Sequence, residues 1–222
     1  MLCIVATPIG NLEDITLRAL RVLKEADYVL AEDTRKTGMM LKRYGLKKRM
    51  LSFFEHNEEK KIPEIIEDLS AGKIICLVSS AGTPTVSDPG YKLVRAARKQ
   101  SLPVTSLPGA SSIINALALT SLAHERFVFM GYFPRKASER RKACEKVKAS
   151  GLTTVFFESP YRVLSAVESL SQEIEGARVA LMREMTKKFE EVIEGDVKEV
   201  LSRLKGRKLK GEIVLAVNAP NP

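Results

Sequence analysis

Two kinds of residue in this chain are spaced for chemistry: carboxylates that follow apolar runs, and a long turn of small side chains. Glu32 and Asp33 come directly after the run Tyr28-Val29-Leu30-Ala31, a short strand, so both acids stand at its carboxyl end. A pair so placed could do acid–base work, while helix capping and an ion pair with Arg35 explain it equally well. The second stretch is Ser79-Ser80-Ala81-Gly82-Thr83-Pro84-Thr85-Val86-Ser87-Asp88-Pro89-Gly90, which follows the buried-strand pattern Ile74-Ile75-Cys76-Leu77-Val78. Ser, Ala and Gly let a ligand approach the backbone closely, and Pro84 and Pro89 fix the chain's direction. An ordinary strand-to-helix connection takes ~2 to 6 residues, so this one is long enough to hold a ligand beyond a strand's carboxyl end.

Other chemistries lack their residues. Only His56 and His124 are present, too few for a histidine metal site or a Ser-His-Asp triad, and His56 sits in a charged, solvated stretch. Cys3, Cys76 and Cys144 lie in mostly apolar surroundings with no CxxC spacing, which predicts buried free thiols in a reducing compartment and no metal. No apolar run approaches the ~18 residues of a membrane span, and no signal-peptide pattern opens the chain, so a cytoplasmic protein is expected.

The elements that must position these residues alternate. Residues 2–6 read as a strand, the turn Thr7-Pro8-Ile9-Gly10-Asn11 breaks it, and Leu17, Leu20 and Leu23 mark a helix. GxGxxG is absent and Pro8 removes a backbone donor, so the turn is a pocket wall and not a phosphate cradle. A helix capped by Asp33 or Thr34 runs toward Tyr44 and Gly45, and another carries Ile62, Ile65, Ile66 and Leu69. After the long turn come a helix over 91–100, a strand over 104–107, and the turn Pro108-Gly109-Ala110-Ser111-Ser112 feeding a helix over 113–119. The alternation pauses near Ser121-Leu122-Ala123-His124, which places two α/β domains at 1–120 and 121–222. Later strands are predicted at 127–131, 153–158, 179–183, 190–195 and 212–217, the last two pairing antiparallel. The first domain should hold a mostly parallel sheet and the second a mixed one.

The formal charge of +9 and pI near 9.5 attract polyanions, nucleic acid above all, although a lysine-rich solvated surface gives the same totals. Position adds to the total: Arg135, Lys136, Arg140, Arg141 and Lys142, then Lys146 and Lys148, follow the aromatic pair Tyr132-Phe133, as a phosphate-tracking surface would.

Six motifs in register bring a resemblance. Val5-Ala6-Thr7-Pro8-Ile9-Gly10-Asn11-Leu12, Ala31-Glu32-Asp33-Thr34-Arg35, the long turn, Glu158-Ser159-Pro160, Arg183-Glu184-Met185-Thr186-Lys187 and Lys210-Gly211-Glu212 span nearly the whole chain. In this order they resemble the bacterial ribosomal RNA small-subunit methyltransferase I family, which has the tetrapyrrole methylase fold. The resemblance implies a homodimer of two-domain chains, with S-adenosylmethionine in the cleft of each, methylating a cytidine ribose 2′-hydroxyl of 16S ribosomal RNA. It places donor contacts on Pro8, Ile9, Gly82, Thr83, Val86, Ser111, Ser112 and Ile113, and further walls on Phe157, Glu158, Met182 and Arg183. A sulfonium methyl is already activated, so in-line placement suffices, and the base could be Glu32, Asp33, Glu158 or Glu184. One departure stands out: Ser80 occupies the position of the family's usual aspartate. It keeps open a catalytically impaired ribosome-binding protein, and the shared fold keeps open a tetrapyrrole C-methyltransferase.

Overall fold

The computed structural model describes residues 1–220 and resolves into two compact units, Met1–Ser111 and a second beginning at Ser112. The first unit is built on β1 (Leu2–Val5), α1 (Leu17–Glu25), β2 (Tyr28–Ala31), α2 (Thr34–Arg43), β3 (Met50–Ser52), α3 (Glu58–Ser70), β4 (Ile75–Val78), α4 (Tyr91–Lys99) and β5 (Val104–Leu107). Its strands lie all parallel in the order β3-β2-β4-β1-β5. Helices cover both faces. Leu2 and Ile4 pack with Ile65, Leu69, Leu93 and Ala97, while Cys3 and Val5 pack with Ala19, Leu23 and Leu41. This explains why β1, β2 and β4 read as unbroken apolar runs, since a parallel strand covered on both sides has no polar face. In α1 the buried stripe is Ala19, Val22 and Leu23, whereas Leu17, read as part of the stripe, lies in solvent. Strand β3 has no sequence signal because it is only three residues long at the sheet's edge.

The second unit comprises α5 (Ser112–Leu119), β6 (Phe127–Tyr132), α6 (Ala137–Ser150), β7 (Thr153–Glu158), α7 (Val163–Glu173), β8 (Arg178–Arg183), β9 (Glu191–Asp196), α8 (Val197–Leu204) and β10 (Ile213–Asn218). The sheet is mixed, in the order β6-β7-β10-β8-β9, with β6 parallel to β7 and the other pairs antiparallel. Two findings differ from the sequence reading. Helix α5 packs with the second unit: Ala116 and Leu117 are buried with Val155, Ala180, Val214 and Ala216. The division therefore falls before this helix and not after it. Strands β9 and β10 are not neighbours either. β10 is buried along almost its whole length and lies between β7 and β8, while the half-exposed β9 takes the edge. Helix α8, with Val197, Val200 and Leu204 in the core, carries the chain across.

Candidate functional site

The first unit's long turn lies where the sheet changes winding direction. The chain leaves β1 toward β2 and leaves β4 toward β5, so the connections from these adjacent strands cross the sheet in opposite senses. Helices α1 and α4 accordingly lie on opposite faces. Such switch points open a crevice outside the carboxyl ends of the strands.

Three turns meet there. Thr7 and Gly82 form an antiparallel bridge, each N–H donating to the other's carbonyl at 2.9 Å, and Thr7 Oγ1 donates to Ser79 O at 3.3 Å. Thr83 Oγ1 donates to Ala110 O at 3.0 Å, tying the long turn to the one after β5. Gly82 has φ +80°, and a Cβ there would stand 3.3 Å from Ile9 Cγ2 and 3.8 Å from Ala110 O. Only glycine meets both demands easily. Thr85 and Ser87 also have positive φ, at 76° and 61°, a strained conformation for residues with a Cβ.

The four carboxylates proposed from sequence separate by what they already do. Asp33 caps α2, accepting from Arg35 N at 2.9 Å and Lys36 N at 3.1 Å, and the Lys36 bond leads in holding its pKa low. Glu158 has a fully buried side chain, paired with Arg162 Nη2 and accepting from Ser159 N at 2.6 Å. Glu184 accepts from Lys187 Nζ at 2.8 Å and Glu212 N at 2.9 Å, and the Lys187 bond leads in depressing its pKa. Each of these is occupied in holding its own loop or helix end.

Glu32 is the fourth. It stands half-buried at the end of β2, and Ser80 donates to its Oε2 from both Oγ, at 2.6 Å, and N, at 3.1 Å. The departure at position 80 thus has a structural meaning. An aspartate there could not donate a side-chain hydrogen bond and would set a second negative charge against Glu32.

Asp88, which sequence reasoning passed over as a turn residue, completes the constellation. Burial, then the nearby charge of Glu32, pushes its carboxyl up to about 6, against an opposing hydrogen bond from Ser79. A carboxyl titrating that close to neutrality is what a general base needs. The only signal in the sequence was its place in the long turn.

The remaining proposed residues sort by exposure. Ile9 and Gly82 are buried, Pro8, Thr83, Ser111, Ser112 and Ile113 are half-buried, and Val86 is exposed. In the second sheet β7 and β8 both run antiparallel to β10, and Ile213 pairs with Glu158 on one side and Arg183 on the other. Phe157, Glu158, Met182 and Arg183 therefore share that sheet's carboxyl edge. Met182 is fully buried, and Arg183 is engaged by Glu191 at 3.1 Å and Lys210 O at 3.1 Å.

Among the basic residues the structure makes one sharp division. Arg135, Lys136, Arg141 and Lys142 are exposed. Arg140 instead turns inward: Nε donates to Pro134 O at 2.9 Å, Nη1 to Ser165 O at 3.1 Å and Ser169 Oγ at 3.3 Å, and Nη2 to Ser165 Oγ at 3.3 Å. Its guanidinium lies 5.9 Å from the centre of the buried Phe133 ring. Arg140 fastens the end of β6 to α6 and α7, and these contacts engage the guanidinium that the sequence reading placed among the polyanion-binding cations.

Comparison with known proteins agrees with this layout. The family model of tetrapyrrole (corrin/porphyrin) methylases matches residues 1–201. A Thermotoga maritima protein named ribosomal RNA small subunit methyltransferase I is 43% identical over 217 residues, covering 98% of this chain and 97% of the relative. A protein of the same name from Halalkalibacterium halodurans is 42% identical over 216 residues, covering 97% of this chain and 75% of the relative. Among solved structures, a diphthine synthase superposes with TM-score 0.76 at 19% identity, covering 98% of this chain and 89% of its own, a likeness of fold. On these matches, the chain belongs to the tetrapyrrole methylase family, within its ribosomal RNA small subunit methyltransferase I branch.

Proposed function

We propose that this chain transfers a methyl group from S-adenosylmethionine to a cytidine ribose 2′-hydroxyl of 16S ribosomal RNA in the small subunit, acting in the cytoplasm as a homodimer. The observation that carries the chemistry is the meeting of three turns at the β1/β4 switch point beside a carboxylate pair. The substrate rests on relatives named for the small subunit's RNA, matched over nearly the whole chain. The winding switch at β1/β4, with the close backbone packing that Gly82 allows, fits a ligand lying outside the strands' carboxyl ends. Pro8, Ile9, Gly82, Thr83, Val86 and Ser111 would hold the donor; the resemblance adds Ser112, Ile113, Phe157, Glu158, Met182 and Arg183 from the second unit. The donor brings a methyl already activated by its sulfonium, so the chain needs to supply position and a proton acceptor.

Asp88 is the acceptor we assign. Above its titration near 6 it is ionised, and it can take the ribose hydroxyl's proton as that oxygen forms its bond to carbon. Burial first, and then the charge of Glu32, which Ser80 fixes, keep the Asp88 carboxyl basic. The Ser80 departure thus leaves this chain with a built carboxylate pair, in keeping with a working enzyme. The reading is tested by incubating unmodified small subunits with tritiated donor and mapping the labelled nucleotide. Label at a single cytidine ribose is expected, and label on a base or on no ribosomal RNA overturns the assignment.

The exposed cations carry a second expectation. Charge reversal at Arg135, Lys136, Arg141 and Lys142 together should weaken RNA binding and flatten its salt dependence by ~0.7 in slope for each phosphate no longer neutralised, with donor affinity unchanged. Arg140→Glu alone should instead lower stability by about 2–4 kcal/mol, because it strips partners from buried acceptors beside Phe133. Filter binding across a salt series and thermal melts separate the two outcomes.

A further inference from the structure

Strands β6 and β7 run parallel, so the segments that leave them emerge at one edge of the second sheet. The end of β6 brings Tyr132, the segment after it Phe133, Pro134 and Arg135, and the one after β7 Arg162; together they line a concavity of about 310 Å³. That volume lies at the lower end of ligand pockets, the scale of one nucleotide.

The walls divide by chemistry. Register slips between Phe129 and Tyr132, and Gly131 between them has φ +70°, a bulge that turns the strand's last side chains. Phe133 goes inward, 1% exposed, edge-on to Phe156. Tyr132 goes outward, 63% exposed, yet it is steadied by Phe157, whose ring meets it edge-on at 5.5 Å between centroids. An exposed ring steadied by a neighbouring aromatic can serve as a stacking platform.

Arg162 also lines the concavity, held through Nη2 by Glu158 and by Phe133 O at 3.4 Å with its Nη1 buried, while Arg135 is exposed. The lining thus combines an exposed aromatic ring with the exposed Arg135, while the guanidinium of Arg162 is committed to Glu158. Lys136, Arg141 and Lys142 continue the positive surface along the start of α6.

Resting on the RNA substrate proposed above, we infer that this concavity is a subsite for one unpaired nucleotide of that RNA, its base stacked on Tyr132 and its phosphate held by Arg135. Single-stranded RNA is read in this manner, by bases splayed onto aromatic rings with arginines on the backbone. Stacking of one base contributes ~1–3 kcal/mol and tolerates any base. The subsite would grip the strand without selecting its sequence.

The test uses the intact chain with unmodified small subunits and tritiated donor. Tyr132→Ala should raise KM for the subunits by about 5- to 150-fold, the range equivalent to that stacking energy. It should leave kcat and the donor's KM unchanged, and Tyr132→Phe should restore the wild-type value. Because the chain contains no tryptophan, Tyr132→Trp gives a fluorophore at this position alone. Its emission should be quenched by a short cytidine-containing oligoribonucleotide and not by the same oligomer made abasic. Wild-type KM in Tyr132→Ala overturns the subsite while leaving the RNA reading intact. Equal quenching by the abasic oligomer, or by polyglutamate, overturns base stacking in favour of a general anion surface. A wild-type protein that methylates no ribosomal RNA overturns the functional reading, and the subsite with it.

Discussion

Asp88→Asn is expected to reduce methyl transfer by ~10²–10⁴-fold, the usual contribution of a positioned general base, with donor affinity essentially unchanged. The same protein should be more stable than wild type above neutrality, so loss of activity cannot be ascribed to loss of fold. Folding raises the Asp88 carboxyl from its ordinary value of 3.8 to about 6, so the folded chain holds this proton more tightly than the unfolded chain does. Stability from this residue is therefore full below the ordinary value and is lost as pH rises through that window. Asparagine stays neutral throughout and escapes the loss. With solvent screening at a partly exposed carboxyl, the gain above pH 6 is about 1 kcal/mol, or roughly 2–4 °C in Tm. It should vanish near the ordinary carboxylate value. In the wild type, kcat/KM should rise through an acid limb at about 6, and Glu32→Gln should move that limb toward the usual carboxylate range. A wild-type rate in Asp88→Asn, or an acid limb unmoved by Glu32→Gln, would remove the pair from the mechanism.

A single 2′-deoxy substitution at the target nucleotide should abolish transfer completely, since it deletes the attacking oxygen. Binding should change little. One hydroxyl contributes at most a hydrogen bond, about 0.5–1.5 kcal/mol or roughly 2- to 10-fold in affinity, against many phosphate contacts along the strand. The measurement pairs competition binding with tritium transfer on reconstituted subunits carrying the deoxy residue. Methyl transfer to the deoxy substrate at the same nucleotide would locate the chemistry on the base and defeat the ribose assignment.

Much of this molecule can be read along the chain, for local reasons. Tyr28–Ala31 is an unbroken apolar run, Val104–Leu107 is bracketed by Pro103 and Pro108, and Thr153–Glu158 follows Gly151, because a strand covered on both faces needs apolar residues and a turn needs Gly, Pro or small polar residues. The long turn at 79–90 is also visible, as its glycine and prolines are backbone requirements written in residue type. The motif order identifies the family for the same reason: each motif is a run of neighbours in the chain.

Partners distant in the chain are another matter. Glu32 and Ser80 are 48 residues apart and meet only because β2 and β4 are sheet neighbours. Asp88 gains its basicity from burial and from Glu32, neither of which is a property of its neighbours in sequence. Asp33, Glu158 and Glu184 look as catalytic as Glu32 on paper, yet their partners in the folded chain spend them on a helix cap and ion pairs. Arg140 and Arg141 are adjacent and alike, but helical rotation by about 100° sends one to Phe133 and the serines of α7 and the other into solvent. Residue order alone accounts for the kinship and for most of the elements, the short edge strand β3 excepted. Which charged groups remain able to act depends on tertiary packing, because a carboxylate's or guanidinium's chemistry is set by the partners it meets in space.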